Sequence, residues 1–155
     1  MADLIVLRGT IDAGKTTTCG FIYQDLLPIC NQEHVFNGRT VQTDSLRFTR
    51  NNTVIDFEAV LTLQNGKHVS IISAGDNLEL RAKLNRHIAR GSELIICCTR
   101  SQNRENSTFR MIQDEFQPIH PIVLEQWVPW TQNGNLRTIK APVVNTVVNF
   151  VRLLL

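Results

Sequence analysis

The sequence predicts an α/β domain of three layers: a mainly parallel sheet between helices, with one antiparallel strand contributed by a β-hairpin. Three observations carry this. Leu4-Ile5-Val6-Leu7 is an unbroken apolar run of the kind found in strands buried on both faces, and a glycine-bearing turn and a helical stretch follow it. Segments of strand and helix character then alternate toward the C-terminus. Between them, Asn65-Gly66 is a two-residue hairpin signal joining two β-rich segments.

Each element follows in order. Residues 15 to about 27 read as the first helix, with Phe21, Ile22, Leu26 and Leu27 as core positions and Pro28 as its stop. Residues 31–52 are polar and show no clear period. Residues 53–63 are β-rich, and residues 67–73 supply the return strand of the hairpin. Residues 76–90 read as a helix with Leu78, Leu80, Leu84 and Ile88 mostly on one side and Gly91 as its stop. A buried strand spans 94–98, a helix 106–116 ends before Pro118, and a further strand within 119–128 is broken by Pro121. Residues 142–154 read as a closing helix, with Pro142 in its first turn.

The 155 residues contain no internal repeat, low-complexity tract or linker, so a single domain over 1–155 is expected. Hydrophobic residues at 43% and charged residues at 19% exclude a disordered or collagen-like chain. Sixteen Lys and Arg against fourteen Asp and Glu leave a net charge of +2, which tells against a dedicated nucleic-acid binder or a membrane-surface protein. Twelve of the basic residues are Arg, the better bidentate ligand for phosphate.

The N-terminus lacks a basic segment followed by an apolar one, so no secretory signal is expected. No apolar run approaches the roughly 18 residues that span a bilayer. The most apolar segment, 143–155, is interrupted by Asn145, Asn149 and Arg152. Cys19, Cys30, Cys97 and Cys98 form no C-x-x-C pair, and Cys97 and Cys98 lie in a strand core. The histidines are too scattered for a metal site. The expected compartment is the cytoplasm.

Chemistry concentrates in the first turn, Gly9-Thr10-Ile11-Asp12-Ala13-Gly14-Lys15-Thr16. This is G-x-x-x-x-G-K-[ST], the Walker A pattern of a phosphate-binding loop, lying between a strand and a helix as the pattern requires. Glycine lets the backbone curl around a phosphate without Cβ clashes. Successive N–H groups, from Gly9 through Thr17, then point at the anion, and the positive end of the helix adds to the attraction. Lys15 can reach the β- and γ-phosphates, and the Thr16 hydroxyl can join the coordination shell of Mg²⁺.

On these residues the chain resembles the P-loop NTPase superfamily. The decisive match covers residues 4 to about 27, and the later order of strands and helices is compatible with it. The resemblance implies ATP or GTP as ligand, Mg²⁺ as cofactor, and a carboxylate for the metal where another strand ends beside the loop. The candidate there is Ile71-Ile72-Ser73-Ala74-Gly75-Asp76-Asn77. Its place after a hairpin looks like the small GTPases, whose strand ends Asp-Thr-Ala-Gly. Ser73 stands where that Asp would fall, and Asp76 comes three residues later. Asp76 is therefore a candidate metal ligand and catalytic residue together with Lys15, or the N-cap of the next helix. The Asn-Lys-x-Asp element that reads guanine in small GTPases is lacking after the later strands, so the base stays open.

Arg100 and Arg104 follow a strand at the carboxyl edge of the sheet, where α/β proteins bind ligands. Arg100 is the candidate for stabilising charge on a phosphoryl group in transit. Thr43 and Asp44 could order around Mg²⁺ or orient an acceptor, or could be turn residues. Asp56 and Glu58 alternate on one strand face, which reads as solvated. Arg81, Arg86 and Arg90 read as an exposed helix face, and Arg39, Arg47 and Arg50 as a basic edge. Trp127 and Trp130 flank Pro129, as a contact surface or as packing under the last loop.

Three functions follow in order of preference. The first is Mg²⁺-dependent hydrolysis of a nucleoside triphosphate. The second is transfer of the γ-phosphoryl group to a small-molecule acceptor. The third is a non-catalytic nucleotide-binding module that answers to a protein partner. No oligomeric state is implied.

Overall fold

The computed structural model describes residues 1–10, 14–36, 42–43, 56–73, 77–100, 107–129 and 134–154. The apolar run becomes strand β1 (Asp3–Gly9), and helix α1 (Lys15–Leu26) follows the glycine turn. Pro28 lies in a tight helical turn, Leu27–Ile29, that ends α1. Strand β2 (Cys30–Phe36) and the two-residue strand β3 (Gln42–Thr43) come next, in the stretch whose sequence shows no period. The Asn65-Gly66 turn joins β4 (Glu58–Leu63) to β5 (His68–Ile72) as an antiparallel hairpin.

Helix α2 (Asn77–Ala89), strand β6 (Leu94–Arg100), helix α3 (Thr108–Met111), strand β7 (Ile122–Trp127) and helix α4 (Leu136–Arg152) complete the chain. A π-helical turn, Ile112–Phe116, extends α3 to the length that the sequence predicts. Helix α4 starts earlier than expected, and this is a correction. Asn135 caps it by accepting a hydrogen bond from the Thr138 N–H at 3.2 Å, so Pro142 lies inside the helix rather than in its first turn. The helix persists through Pro142 because Val143, Val144, Val147, Val148 and Val151 are all buried against the sheet.

Among the described residues, seven strands form one sheet in the order β3-β2-β4-β5-β6-β1-β7. Strands β5, β6, β1 and β7 are parallel neighbours. Strand β4 runs antiparallel to β5, as the hairpin requires, and β2 and β3 extend the sheet outward through two further antiparallel pairings.

Side-chain alternation along the strands builds two cores. Ile5, Leu7, Ile96 and Cys98 face one side, where Cys19, Ile22 and Leu26 of α1 and the valines of α4 cover them. Leu4, Val6, Ile95 and Cys97 face the other, under Leu80 and Leu84 of α2 and Phe109, Ile112 and Phe116 of the α3 segment. Each fully buried Leu, Ile or Phe contributes roughly 1.5–3 kcal/mol, so the paired cores hold the layers together. Cys97 and Cys98 are both buried, the core role expected of them. Among the described residues, no helix is long and apolar enough to cross a membrane.

A buried polar network ties α2 to the hairpin. His87 Nε2 lies 2.9 Å from Glu58 Oε1, and His87 Nδ1 lies 2.9 Å from Ser70 Oγ, which also bonds the Ser92 hydroxyl. Serine, histidine and glutamate here resemble a nucleophile relay in order only. Ser70 and His87 are fully buried, so no substrate reaches them, and the network serves to satisfy polar groups between layers. Glu58, which reads as solvated in sequence, is thus half-buried and paired with both His87 and Arg86.

Candidate functional site

The parallel block fixes where a ligand can sit. From β1 the chain passes to α1 on one face of the sheet, and from its neighbour β6 it passes to α3 on the other. Two adjacent strands whose connections leave in opposite directions open a crevice at their carboxyl ends. Gly9 and Arg100 are paired in register at that edge.

Gly14 adopts φ +82°, a left-handed conformation that side chains with a Cβ resist, and α1 begins at the next residue. The Gly14 carbonyl accepts the Thr18 N–H at 2.9 Å and the Thr18 hydroxyl at 2.8 Å. Gly14 brings no side chain to cap the helix, and its first turn carries no acidic residue. The first N–H groups of an α-helix form its positive end.

Lys15 folds back over the turn, its Nζ donating to the Gly9 carbonyl at 2.7 Å and to the Thr10 carbonyl at 3.1 Å. A cation thereby sits over the end of β1. Thr16 is half-buried, and its Oγ1 donates to Asp56 Oδ1 at 2.7 Å. Thr17 is buried against the body of the fold.

A second lysine lies beneath the turn. The fully buried Lys140 of α4 donates from Nζ to the Pro129 carbonyl, and burial lowers its pKa below the ordinary range. Its Cε would lie 3.1 Å from a Cβ placed on Gly14. A side chain at position 14 would therefore need the Lys140 side chain to give by a few tenths of an ångström, besides adopting the left-handed φ. On the far side of β1, Arg8 lies 3.8 Å from the centre of the Phe109 ring and 3.7 Å from the Glu125 carboxylate.

Below the turn, the Cys19 and Cys98 thiols lie 3.2 Å apart, joining α1 to β6. The hydrogen bond shared with Cys98, together with burial, holds the Cys19 thiol well above its usual pKa. Such thiols are inert packing groups.

Ser73 directly follows β5, and β6 lies between β5 and β1 in the sheet. Ser73 is engaged with the hairpin: its Oγ accepts the Phe57 N–H at 2.7 Å, and its N–H donates to the Phe57 carbonyl at 3.1 Å.

Of the remaining sequence candidates, Ile11, Asp12, Ala13, Asp44, Asp76, Arg104 and Trp130 lie outside the described residues, as do Arg39, Arg47 and Arg50. Arg81 pairs with Glu115 through two hydrogen bonds on the exposed surface, at 2.6 and 2.9 Å. Trp127 ends β7 and is half-exposed.

Two residues at the turn escape sequence reasoning. Lys140 carries no motif and is visible only once α4 packs against the turn. Asp56 follows the polar alternation of a solvated face, yet it meets Thr16 across forty residues of chain. Compared with family models, curated proteins and solved structures, the chain matches none of them.

Proposed function

We propose that the chain is a P-loop NTPase of three layers that binds the phosphates of ATP or GTP with residues Gly9 through Thr17 and hydrolyses the triphosphate in the presence of Mg²⁺. The observation that carries this reading is a conjunction. A parallel strand ends in the G-x-x-x-x-G-K-[ST] turn at a topological switch point, Gly14 takes the left-handed φ of +82°, and the Lys15 ammonium hangs over the turn.

In this reading the N–H groups at the start of α1 hold the phosphate oxygens. Lys15 exchanges its contacts with the Gly9 and Thr10 carbonyls for the β- and γ-phosphates. Arg100, in register with Gly9 at the end of β6, meets the charge that develops on the γ-phosphoryl group. Mg²⁺, a hard cation that favours oxygen ligands, would be held by the Thr16 hydroxyl and a carboxylate and would neutralise phosphate charge.

The reading without catalysis has one observation in its favour. The end of β5 offers the Ser73 hydroxyl, already engaged with Phe57, where the superfamily resemblance implies a carboxylate. Phosphate release measured with ATP and GTP, in Mg²⁺ and in chelator, separates the readings. Mg²⁺-dependent release at a rate indifferent to added acceptors supports the hydrolase. Release or consumption that requires a small-molecule acceptor supports phosphoryl transfer. Tight binding without turnover supports the binding module.

A further inference from the structure

We infer that Asp56, which precedes β4, is a carboxylate that holds Mg²⁺ beside Thr16. The inference rests on the proposed nucleotide site and names one of its ligands. It begins with backbone direction. Strand β4 is antiparallel to β5, with Glu58 opposite Ile72, so β4 starts at the same edge of the sheet where the parallel strands end. A residue just before β4 is therefore delivered to the phosphate-binding edge, although it belongs to no parallel strand.

Three contacts then fix Asp56. Phe57 exchanges two hydrogen bonds with Ser73, through the Ser73 hydroxyl at 2.7 Å and the Ser73 N–H at 3.1 Å. The Phe57 ring is buried and meets Tyr23 of α1 edge-on, with centroids 6.1 Å apart. Anchored by its neighbour on both sides, the exposed Asp56 side chain reaches the first turn of α1, where Oδ1 accepts the Thr16 hydroxyl at 2.7 Å.

The chemistry of this pair suits a magnesium ion. Both donors are hard oxygens, one anionic and one neutral. Mg²⁺ holds six oxygens in a near-octahedral shell at about 2.0–2.1 Å, so two adjacent ligands lie about 2.9 Å apart. The Thr16 and Asp56 oxygens are already separated by nearly that distance. Only these two protein ligands are needed, because Mg²⁺ at phosphate sites keeps waters and takes the rest of its shell from the substrate. Ser73 then has a structural duty: it holds the strand end that presents Asp56, and the carboxylate comes from the neighbouring antiparallel strand.

The test measures affinity, separately from turnover. A non-hydrolysable ATP or GTP analogue is titrated into wild-type protein, Asp56→Asn, Asp56→Ala and Lys15→Ala, each in Mg²⁺ and in chelator. Electron paramagnetic resonance of Mn²⁺ in the same complexes reports the metal directly. Asn keeps a hydrogen-bond acceptor for Thr16 and removes only the charge, and position 56 is exposed, so folding is not at stake. Asp56→Asn and Asp56→Ala should bind the analogue in chelator within about twofold of wild type. They should lose tenfold or more of the affinity that Mg²⁺ adds, and bound Mn²⁺ should weaken in parallel. If wild type gains affinity from Mg²⁺ and both Asp56 variants keep that gain, the assignment of Asp56 is overturned while the nucleotide site stands. Wild type that binds the analogue equally with and without Mg²⁺ overturns it too. Wild type that binds no analogue in either condition overturns the nucleotide site and this inference together, and Lys15→Ala marks that case by behaving like its parent.

Discussion

Lys140 and Gly14 touch across the base of the glycine-rich turn: the Lys140 Cε lies 3.1 Å from the position a Cβ on Gly14 would occupy. The lysine belongs to the last helix and the glycine to the first turn, so Gly14 packs against the C-terminal quarter of the chain. Position 14 is constrained by φ +82° and is closely approached by the buried Lys140 side chain.

Gly14→Ala should therefore be costly. The left-handed backbone alone costs a residue with a Cβ roughly 1–2 kcal/mol, and displacing Lys140 adds to it. The expected result is a lower midpoint in urea denaturation, together with weaker triphosphate binding because the loop no longer closes on the anion. A variant with the parent's midpoint and the parent's affinity would show that the turn is not built as described.

Glu58 should make stability depend on acid. Burial pushes its carboxyl upward, but the His87 hydrogen bond, joined by the charges of Arg86, His87 and Lys83, outweighs that and holds it below its ordinary value. A carboxyl depressed in the folded state contributes stability above its unfolded pKa of about 4.3, and that contribution is lost as the pH falls through the folded value. Urea melts taken from pH 7 downward should show wild type losing stability across this window. Glu58→Gln should be less stable at pH 7, and its deficit should shrink as the pH drops. Parallel curves for the two proteins would remove Glu58 from the account.

The thiols offer a test of the core. Cys19, Cys97 and Cys98 are buried and free, with burial raising Cys97 and the Cys98 contact together with burial raising Cys19. Cys30 is half-buried and pushed up to about 11, first by burial and then by the charge of Glu33. Iodoacetamide at pH 8 should therefore label Cys30 slowly, at roughly a hundredth of the rate of an ordinary exposed thiol with pKa near 8.5. The other three should react only in denaturant. Mass spectrometry of the native protein showing rapid labelling at Cys97 or Cys98 would contradict the packing of β6.

How far the sequence carries depends on the residue. The β1 strand, the glycine turn and α1 are legible because an apolar run, a spacing of two glycines and Lys15-Thr16 all agree. The hairpin is legible because Asn65-Gly66 demands it, and α2 because its leucines keep a helical period. Strand β2 escapes because Cys30–Phe36 mixes polar and apolar residues without strict alternation, and its pairing with β4 supplies the order that its own pattern lacks. Strand order is not encoded in any local pattern. Nothing in the residues of β5 or β6 announces that β6 lies between β5 and β1. Asp56 is hidden for the same reason, since its meeting with Thr16 depends on where β4 begins relative to the parallel strands.

The claim that β1, the glycine turn and α1 form a triphosphate site is tested most directly by calorimetric titration of ATP and GTP, with Mg²⁺, into wild-type protein and Lys15→Ala. Lys15 stands over the turn on two carbonyls and is the side-chain cation that the motif itself brings to the phosphates. The account predicts that wild type binds one or both triphosphates and that Lys15→Ala, folded to the same melting temperature, loses that binding. Equal affinity in the two proteins, or no binding of either nucleotide to wild type, would contradict it.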